Sequence, residues 1–179
     1  MHPAVNFLHH LDARPETTYN IETFTDLPKG APKLRYDPLC KRWANLTLAG
    51  VEEIIPQLET LNDAGAAVYF MVNECAGQRK KEKISRIRGV HADFDGVSEE
   101  VIASVRARLQ PTIEVQSSDP MNLHMYWLLA EGEELDVETA EAINRQLVEL
   151  GADKAAVDVS RLLRLPGFRH MKYRNGRPQ

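Results

Sequence analysis

Arg86-Ile87-Arg88-Gly89-Val90-His91-Ala92-Asp93-Phe94-Asp95-Gly96 is the stretch on which the reading of this chain turns. Read as a strand, its period of two puts Val90, Ala92 and Phe94 on one face and His91, Asp93 and Asp95 on the other. Carboxylates at alternate positions of one strand face repel each other unless a positive charge stands between them. A divalent cation, held by oxygen ligands and shared with a phosphate, supplies that charge. The plainer reading of the same residues is a pair of solvated aspartates at a strand end.

Charge is distributed unevenly around this stretch. Arg79, Lys80, Lys81, Lys83, Arg86 and Arg88 gather just upstream of the aspartates. Arg161, Arg164, Arg169, Lys172, Arg174 and Arg177, with His170, gather near the end of the chain. Either run alone reads as a solvated face. Two basic runs bracketing a carboxylate pair suit a site that handles phosphates with metal help, although the net charge is −4.

The surrounding periodicities predict a mixed α/β (α+β) order. A helix is expected over residues 3–11, a strand near 19–24 and an irregular stretch over 27–43. Val51, Ile54, Ile55, Leu58 and Leu61 recur at helical spacing, with Pro56 demanding a late start or a kink. A strand is expected over 67–72, a basic connection over 78–85 and a helix over 98–109, ended before Pro111. Strands over 112–116 and 124–129 flank a Ser-Ser-Asp-Pro-Met-Asn turn and predict an antiparallel hairpin. A last helix over 137–150 stops at Gly151.

The hairpin puts Leu123, Met125 and Trp127 on one face and His124 and Tyr126 on the other. Ser117 and Ser118 end the incoming strand, so a hydroxyl and an imidazole can converge there. A ring N–H of His124 aimed at a phosphate oxygen needs only one tautomer. Further on, Gly151 to Tyr173 carries Asp153 and Asp158, then Arg161 and Arg164, a Pro-Gly turn, His170 and Lys172. Guanidinium forks and an ammonium beside another carboxylate suit a metal-chelated triphosphate. The same residues also read as an Asp–Arg-paired helix followed by a turn.

With 179 residues the chain has ample material for a core, and no linker or repeat breaks it, so one domain over 1–179 is expected. No apolar run has the length of a membrane span and no signal peptide is evident. Cys40 and Cys75 form no zinc-type pair, so a reducing, cytoplasmic setting is expected. The end of the sequence within a basic run, Arg174 to Gln179, reads as the end of an N-terminal piece of a longer protein.

Taken in this order, the three blocks resemble those of the archaeo-eukaryotic primase superfamily, and in particular the RepB-like primase domains of plasmids and phages. Gly65 to Asn73 resembles the strand that precedes the catalytic aspartates in that group, and Ala92-Asp93-Phe94-Asp95-Gly96 its first motif. Ser118, His124 and Tyr126-Trp127 resemble its second motif, although the family carries a Gly-rich or basic turn where this chain has Asp119-Pro120-Met121-Asn122. Arg164-Leu165-Pro166-Gly167-Phe168, with Lys172, resembles the segment after its third acidic motif. The resemblance implies an α/β primase-type catalytic domain with an RRM-like mixed sheet flanked by helices. It implies template-directed nucleotidyl transfer on single-stranded DNA, by a primase or primase-polymerase in plasmid or phage replication. Two divalent ions, Mg²⁺ or Mn²⁺, would be held by Asp93, Asp95 and either Asp153 or Asp158. Ser118, His124, Arg161, Arg164, His170 and Lys172 would bind the nucleoside triphosphate, and Arg79, Lys80, Lys81, Lys83, Arg86 and Arg88 the template. A replicative helicase or a downstream accessory domain is the expected partner.

Two other classes remain in view. Asp93-Phe94-Asp95-Gly96-Val97 also fits the haloacid-dehalogenase-like phosphatases, with Asp93 as nucleophile. That family needs the motif on a parallel sheet and leaves the Arg-Leu-Pro-Gly block unexplained. A non-catalytic, RRM-like single-strand-binding module would keep the sheet and the basic runs. Such a module gains nothing from paired carboxylates facing a polyanion.

Overall fold

A computed structural model describes residues 1–179 apart from Lys29, Lys33, Asp119, Pro120, Met121, Asn175, Gly176 and Gln179, and leaves undescribed the side chains of 173, 174, 177 and 178. Three residues of the expected hairpin turn and the terminal Arg174 and Arg177 side chains therefore lie outside the described part.

The elements run α1 (Pro3–Leu11), β1 (Tyr19–Thr25), β2 (Lys41–Leu46), α2 (Leu48–Asp63), β3 (Ala66–Met71), β4 (Glu74–Cys75), β5 (Ile84–Arg86), β6 (Gly89–Phe94), α3 (Glu99–Arg108), β7 (Ile113–Gln116), β8 (Leu123–Leu128), α4 (Val137–Glu149), β9 (Leu162–Arg164), β10 (Tyr173–Arg174) and β11 (Arg177–Pro178). Short 3₁₀ turns occupy Lys81–Lys83 and Lys154–Ala156. The chain divides into two compact units, residues 1–70 with 164–179, and residues 71–163. The boundaries fall within β3 and β9, which is why no Pro/Gly-rich linker marks them in the sequence.

In the first unit β1 pairs antiparallel with both β2 and β3. Tyr19 and Ile21 are fully buried, as are Val51 and Leu58 of α2 and Val5 and Leu8 of α1. The Phe7 and Phe70 rings meet edge to face at 5.2 Å. The Tyr19 hydroxyl reaches the carbonyls of Leu8 and Asp12, both at 2.8 Å. Strand β2 begins inside the stretch read as irregular; its exposed, basic start hides the alternation that marks a strand. Helix α2 starts at Leu48, with Thr47 capping the Gly50 N–H, and continues through Pro56. The missing N–H leaves the carbonyl of exposed Glu52 for solvent, so the expected late start does not occur.

Asp26 anchors the closing segment of this unit. Its side chain is 1% exposed and accepts from Arg164 Nη2 at 2.6 Å and from the N–H groups of Met171 and Lys172. Asp26→Ala strands a mostly buried guanidinium and two backbone donors. Breaking such a pair costs about 3–5 kcal/mol, which a shifted urea midpoint would register. An unchanged midpoint would show that the anchor carries no stability.

In the second unit β6-β8-β7 form an antiparallel sheet. Val90, Ala92 and Phe94 of β6 and Met125 and Trp127 of β8 form one core with Ile102 and Val105 of α3 and Ala140 and Leu147 of α4. The two helices thus cover the apolar face, and His91, Asp93, His124 and Tyr126 share the opposite one. Glu74 and Cys75 pair with the strand at Ile84–Arg86, closing a small hairpin within the basic connection.

Candidate active site: three carboxylates beside a sheet edge

Strand pairing places the first part of the site. Asp93 lies directly opposite His124, and His91 opposite Tyr126, in the β6–β8 register. The His124 Nε2 is 3.5 Å from Asp93 Oδ1, and its Nδ1 is 3.4 Å from the Tyr126 hydroxyl. A carboxylate oxygen only accepts, so the geometry favours the proton on Nε2, with Tyr126 donating to Nδ1. Tyr126 is fully buried, and burial, helped by the Asp93 charge, pushes its phenol well above the ordinary range, so it stays a neutral donor.

The second part is brought in along the free edge of β6. The Asp153 N–H donates to the Asp93 carbonyl at 2.7 Å. On the same strand the His91 N–H donates to Asn144 Oδ1 at 3.1 Å, and Asn144 Nδ2 donates to the Val157 carbonyl at 2.9 Å. An edge that would otherwise present open donors and acceptors is closed by the segment carrying Asp153. Asp153 Oδ1 accepts the Ala155 N–H at 2.9 Å, which starts the turn at Lys154. One oxygen from each of Asp93, Asp95 and Asp153 lies within 4.8 Å of the others. Three carboxylates this close, offering only oxygen, form a hard-cation donor set.

Asp158 stands apart from that set. Its Oδ1 accepts both the N–H and the hydroxyl of Ser160, each at 2.7 Å. Burial works to raise its pKa, but the Ser160 bonds and the charges of Lys81 and Arg79 prevail and lower it. Its neighbours are cations rather than carboxylates.

The remaining expected residues scatter. Ser118 lies beside the Asp95–Gly96 turn through Asn122, and Arg161 is exposed, with its charge felt at His91. Arg164, His170 and Lys172 belong to the first unit, where Asp26 engages the Arg164 guanidinium, which also lies 5.2 Å over the Tyr69 ring. Arg79, Lys80, Lys81 and Lys83 are exposed, Lys81 pairing with Glu141 at 2.6 Å. Arg86 pairs with Glu74 through two nitrogens at 2.9 Å. Arg88 corrects the expectation of a basic surface run. Its side chain is 1% exposed and donates to the Val72 carbonyl, while its N–H donates to Asn73 Oδ1. It sits in the two-residue link between β5 and β6, where these bonds hold it in the interior and away from the exposed basic surface.

Sequence reasoning missed Asn144 and Asn122. Asn144 is a buried polar residue on the otherwise apolar stripe Ala140–Asn144–Leu147, a break in pattern that signals a bonding role. His91 is missed as a titrating group. It is 1% exposed, and burial, reinforced by Arg161 and opposed by Asp158, lowers its pKa from 6.5 to about 4. Between those values the unfolded chain takes up a proton that the folded chain refuses. Stability is therefore complete above pH 6.5 and is lost as pH falls toward 4, by about 3 kcal/mol at full extent. Urea unfolding at pH 7 and 4.5 should show that slope in the wild type and a shallower one in His91→Leu. Equal slopes would remove His91 as its source.

The antiparallel pairing of β6 with β8 removes the phosphatase alternative, which requires the aspartate strand in a parallel sheet. Residues 71–179 match the family model of the RepB DNA-primase N-terminal domain. The chain belongs to this family. No curated protein sequence matches it. Among solved structures, primase RepB′ superposes with a TM-score of 0.69 at 21% identity, covering 98% of this chain and 52% of that one. The catalytic domain of primase RepB′ in complex with initiator DNA gives 0.66 at 20% identity over 94% of this chain and 77% of that one. The AEP domain of the cyanophage S-2L primase-polymerase gives 0.65 at 20% identity over 94% and 83%. The likeness fixes the fold as that of a primase catalytic domain, of mixed α+β type. The chain spans about half the length of primase RepB′. No helix among the described residues is long and apolar enough to cross a membrane.

Proposed function

We propose that this chain is the catalytic domain of a DNA primase or primase-polymerase, a nucleotidyltransferase acting on single-stranded DNA in plasmid or phage replication. The convergence of Asp93, Asp95 and Asp153 within 4.8 Å, on the sheet face that also carries His124, is the observation that carries it. The family match and the RepB′ complex with initiator DNA support the choice of template. The three carboxylates would hold Mg²⁺ or Mn²⁺, two ions in the full complement. When bound, such ions lower the pKa of an attacking hydroxyl and neutralise a leaving pyrophosphate.

The protein's own part is positioning and charge placement. The hydroxyl of Ser118 donates to a triphosphate oxygen, Nε2–H of His124 does so in place of its Asp93 contact once a cation holds that carboxylate, and Arg161 adds a guanidinium. Arg79, Lys80, Lys81 and Lys83 track the template backbone through sequence-tolerant, salt-sensitive contacts. The protein works in the cytoplasm, beside a helicase or an accessory domain.

Labelled-nucleotide incorporation on single-stranded DNA, with and without an annealed primer, tests the reading. Metal-dependent products support it. Template binding without any incorporation, in either format and with either metal, would favour the binding module instead.

A further inference from the structure

We propose that Asn122 is a positioning residue that ties the Asp95–Gly96 turn to Ser118 and sets the direction in which the Ser118 hydroxyl donates. The inference rests on the nucleotidyl-transfer reading above. Asn122 Oδ1 accepts the Gly96 N–H at 2.8 Å, and its Nδ2 donates to Ser118 Oγ at 2.9 Å. The carboxamide orientation follows from chemistry: a backbone N–H can only donate, so the oxygen must face Gly96 and the NH₂ must face Ser118. The Asn122 main chain completes the clamp, its carbonyl accepting the Ser117 N–H at 2.8 Å and the Ser117 hydroxyl at 3.2 Å.

Two consequences follow for the site. Gly96 takes φ +66° immediately after Asp95, and its N–H is held by a side chain from the facing hairpin. A direct hydrogen bond therefore joins the carboxylate loop to the end of the hairpin. Because Nδ2–H occupies a lone pair of Ser118 Oγ, the serine proton turns away from Asn122 and is presented outward, as a donor for an anionic oxygen.

Asparagine and aspartate at this position separate the role from simple capping. In Asn122→Asp the new carboxylate would still accept the Gly96 N–H, so the turn would stand. At Ser118 a carboxylate can only accept, which draws the serine proton inward and away from a triphosphate. If Asn122 only caps the turn, Asn122→Asp is harmless and Asn122→Ala is the damaging change. If it positions Ser118, the order reverses.

The measurement is calorimetric titration of Mn²⁺ with ATP, and separately with dATP, into the wild type, N122A, N122D, S118A and the N122D/S118A double variant, with nucleotide KM and kcat from primer extension. About tenfold weaker binding is expected for N122A and for S118A, a greater loss for N122D, and a rise in KM with kcat little changed. The double variant should bind no more weakly than S118A, since no serine proton is left to capture. Wild-type binding in N122D overturns the inference and leaves the nucleotidyl-transfer reading intact. So does an N122D loss that persists in full on the S118A background, which would mark added charge as its cause. A wild type that neither binds the nucleotides nor incorporates them overturns the reading and this inference with it.

Discussion

Asp95→Asn and Asp153→Asn should each lower metal-dependent nucleotide incorporation by at least about 10³-fold while raising the melting temperature of the metal-free protein. The first effect is the loss of a charged ligand from a set of three, worth about 4 kcal/mol of transition-state stabilisation at that factor. The second has the opposite sign because like charges this close disfavour one another in the absence of a cation. Removing one charge relieves that repulsion, and about 1 kcal/mol corresponds to roughly 2–4 °C for a chain of this size. Asp158→Asn should do the reverse on both counts. It leaves incorporation within about threefold and lowers the melting temperature, because Asp158 is stabilised by Ser160, Lys81 and Arg79. Thermal melts with and without Mn²⁺ add an independent readout: ligand binding raises stability by mass action, and the rise should vanish in the Asp95 and Asp153 variants alone. A metal-induced rise lost in Asp158→Asn but kept in Asp153→Asn would assign the third carboxylate to the wrong residue.

What the sequence made legible was whatever strand and helix periods govern. Alternation over Val90 to Asp95 places Asp93 on the face away from the core, and alternation over Leu123 to Trp127 places His124 on the matching face of the hairpin. Both follow from the pleat, and the structure has them directly opposite. The burial of Arg88 was not legible, because it sits in the link between β5 and β6 and is held by Val72 and Asn73, distant in sequence. The choice between Asp153 and Asp158 was not legible, because it depends on a long-range contact. The segment after α4 docks on the β6 edge through the Asp153 N–H and through Asn144, and no local spacing encodes that docking. Asn122 escaped for a similar reason: its partner Gly96 is distant in sequence and meets it only once the hairpin has formed. The division into two units was invisible because the chain passes from one to the other within strands rather than through a loop.

Gly89→Ala should be the most damaging single methyl group that can be added to β6. A Cβ built at Gly89 falls 2.2 Å from the Trp127 carbonyl oxygen and 2.9 Å from Leu128 Cα, both backbone atoms that no rotamer change can move. Strands β6 and β8 must then separate or slip. Separation opens the pairing that carries the core of Val90, Ala92, Met125 and Trp127, at a cost of several kcal/mol out of a total of about 5–15. A slip by one residue is worse for function, because it exchanges the faces and turns Asp93 toward the helices. The useful control is Gly96→Ala. There φ is +66° but nothing lies within 4 Å of the added Cβ, so the cost is the left-handed backbone alone, about 1 kcal/mol. Urea unfolding of the two variants should therefore separate them by several kcal/mol, with Gly89→Ala losing its Mn²⁺-induced stabilisation and Gly96→Ala keeping most of it. Equal, small losses would mean that β6 and β8 do not approach as closely as this register requires, and the placement of Asp93 opposite His124 would fall with it.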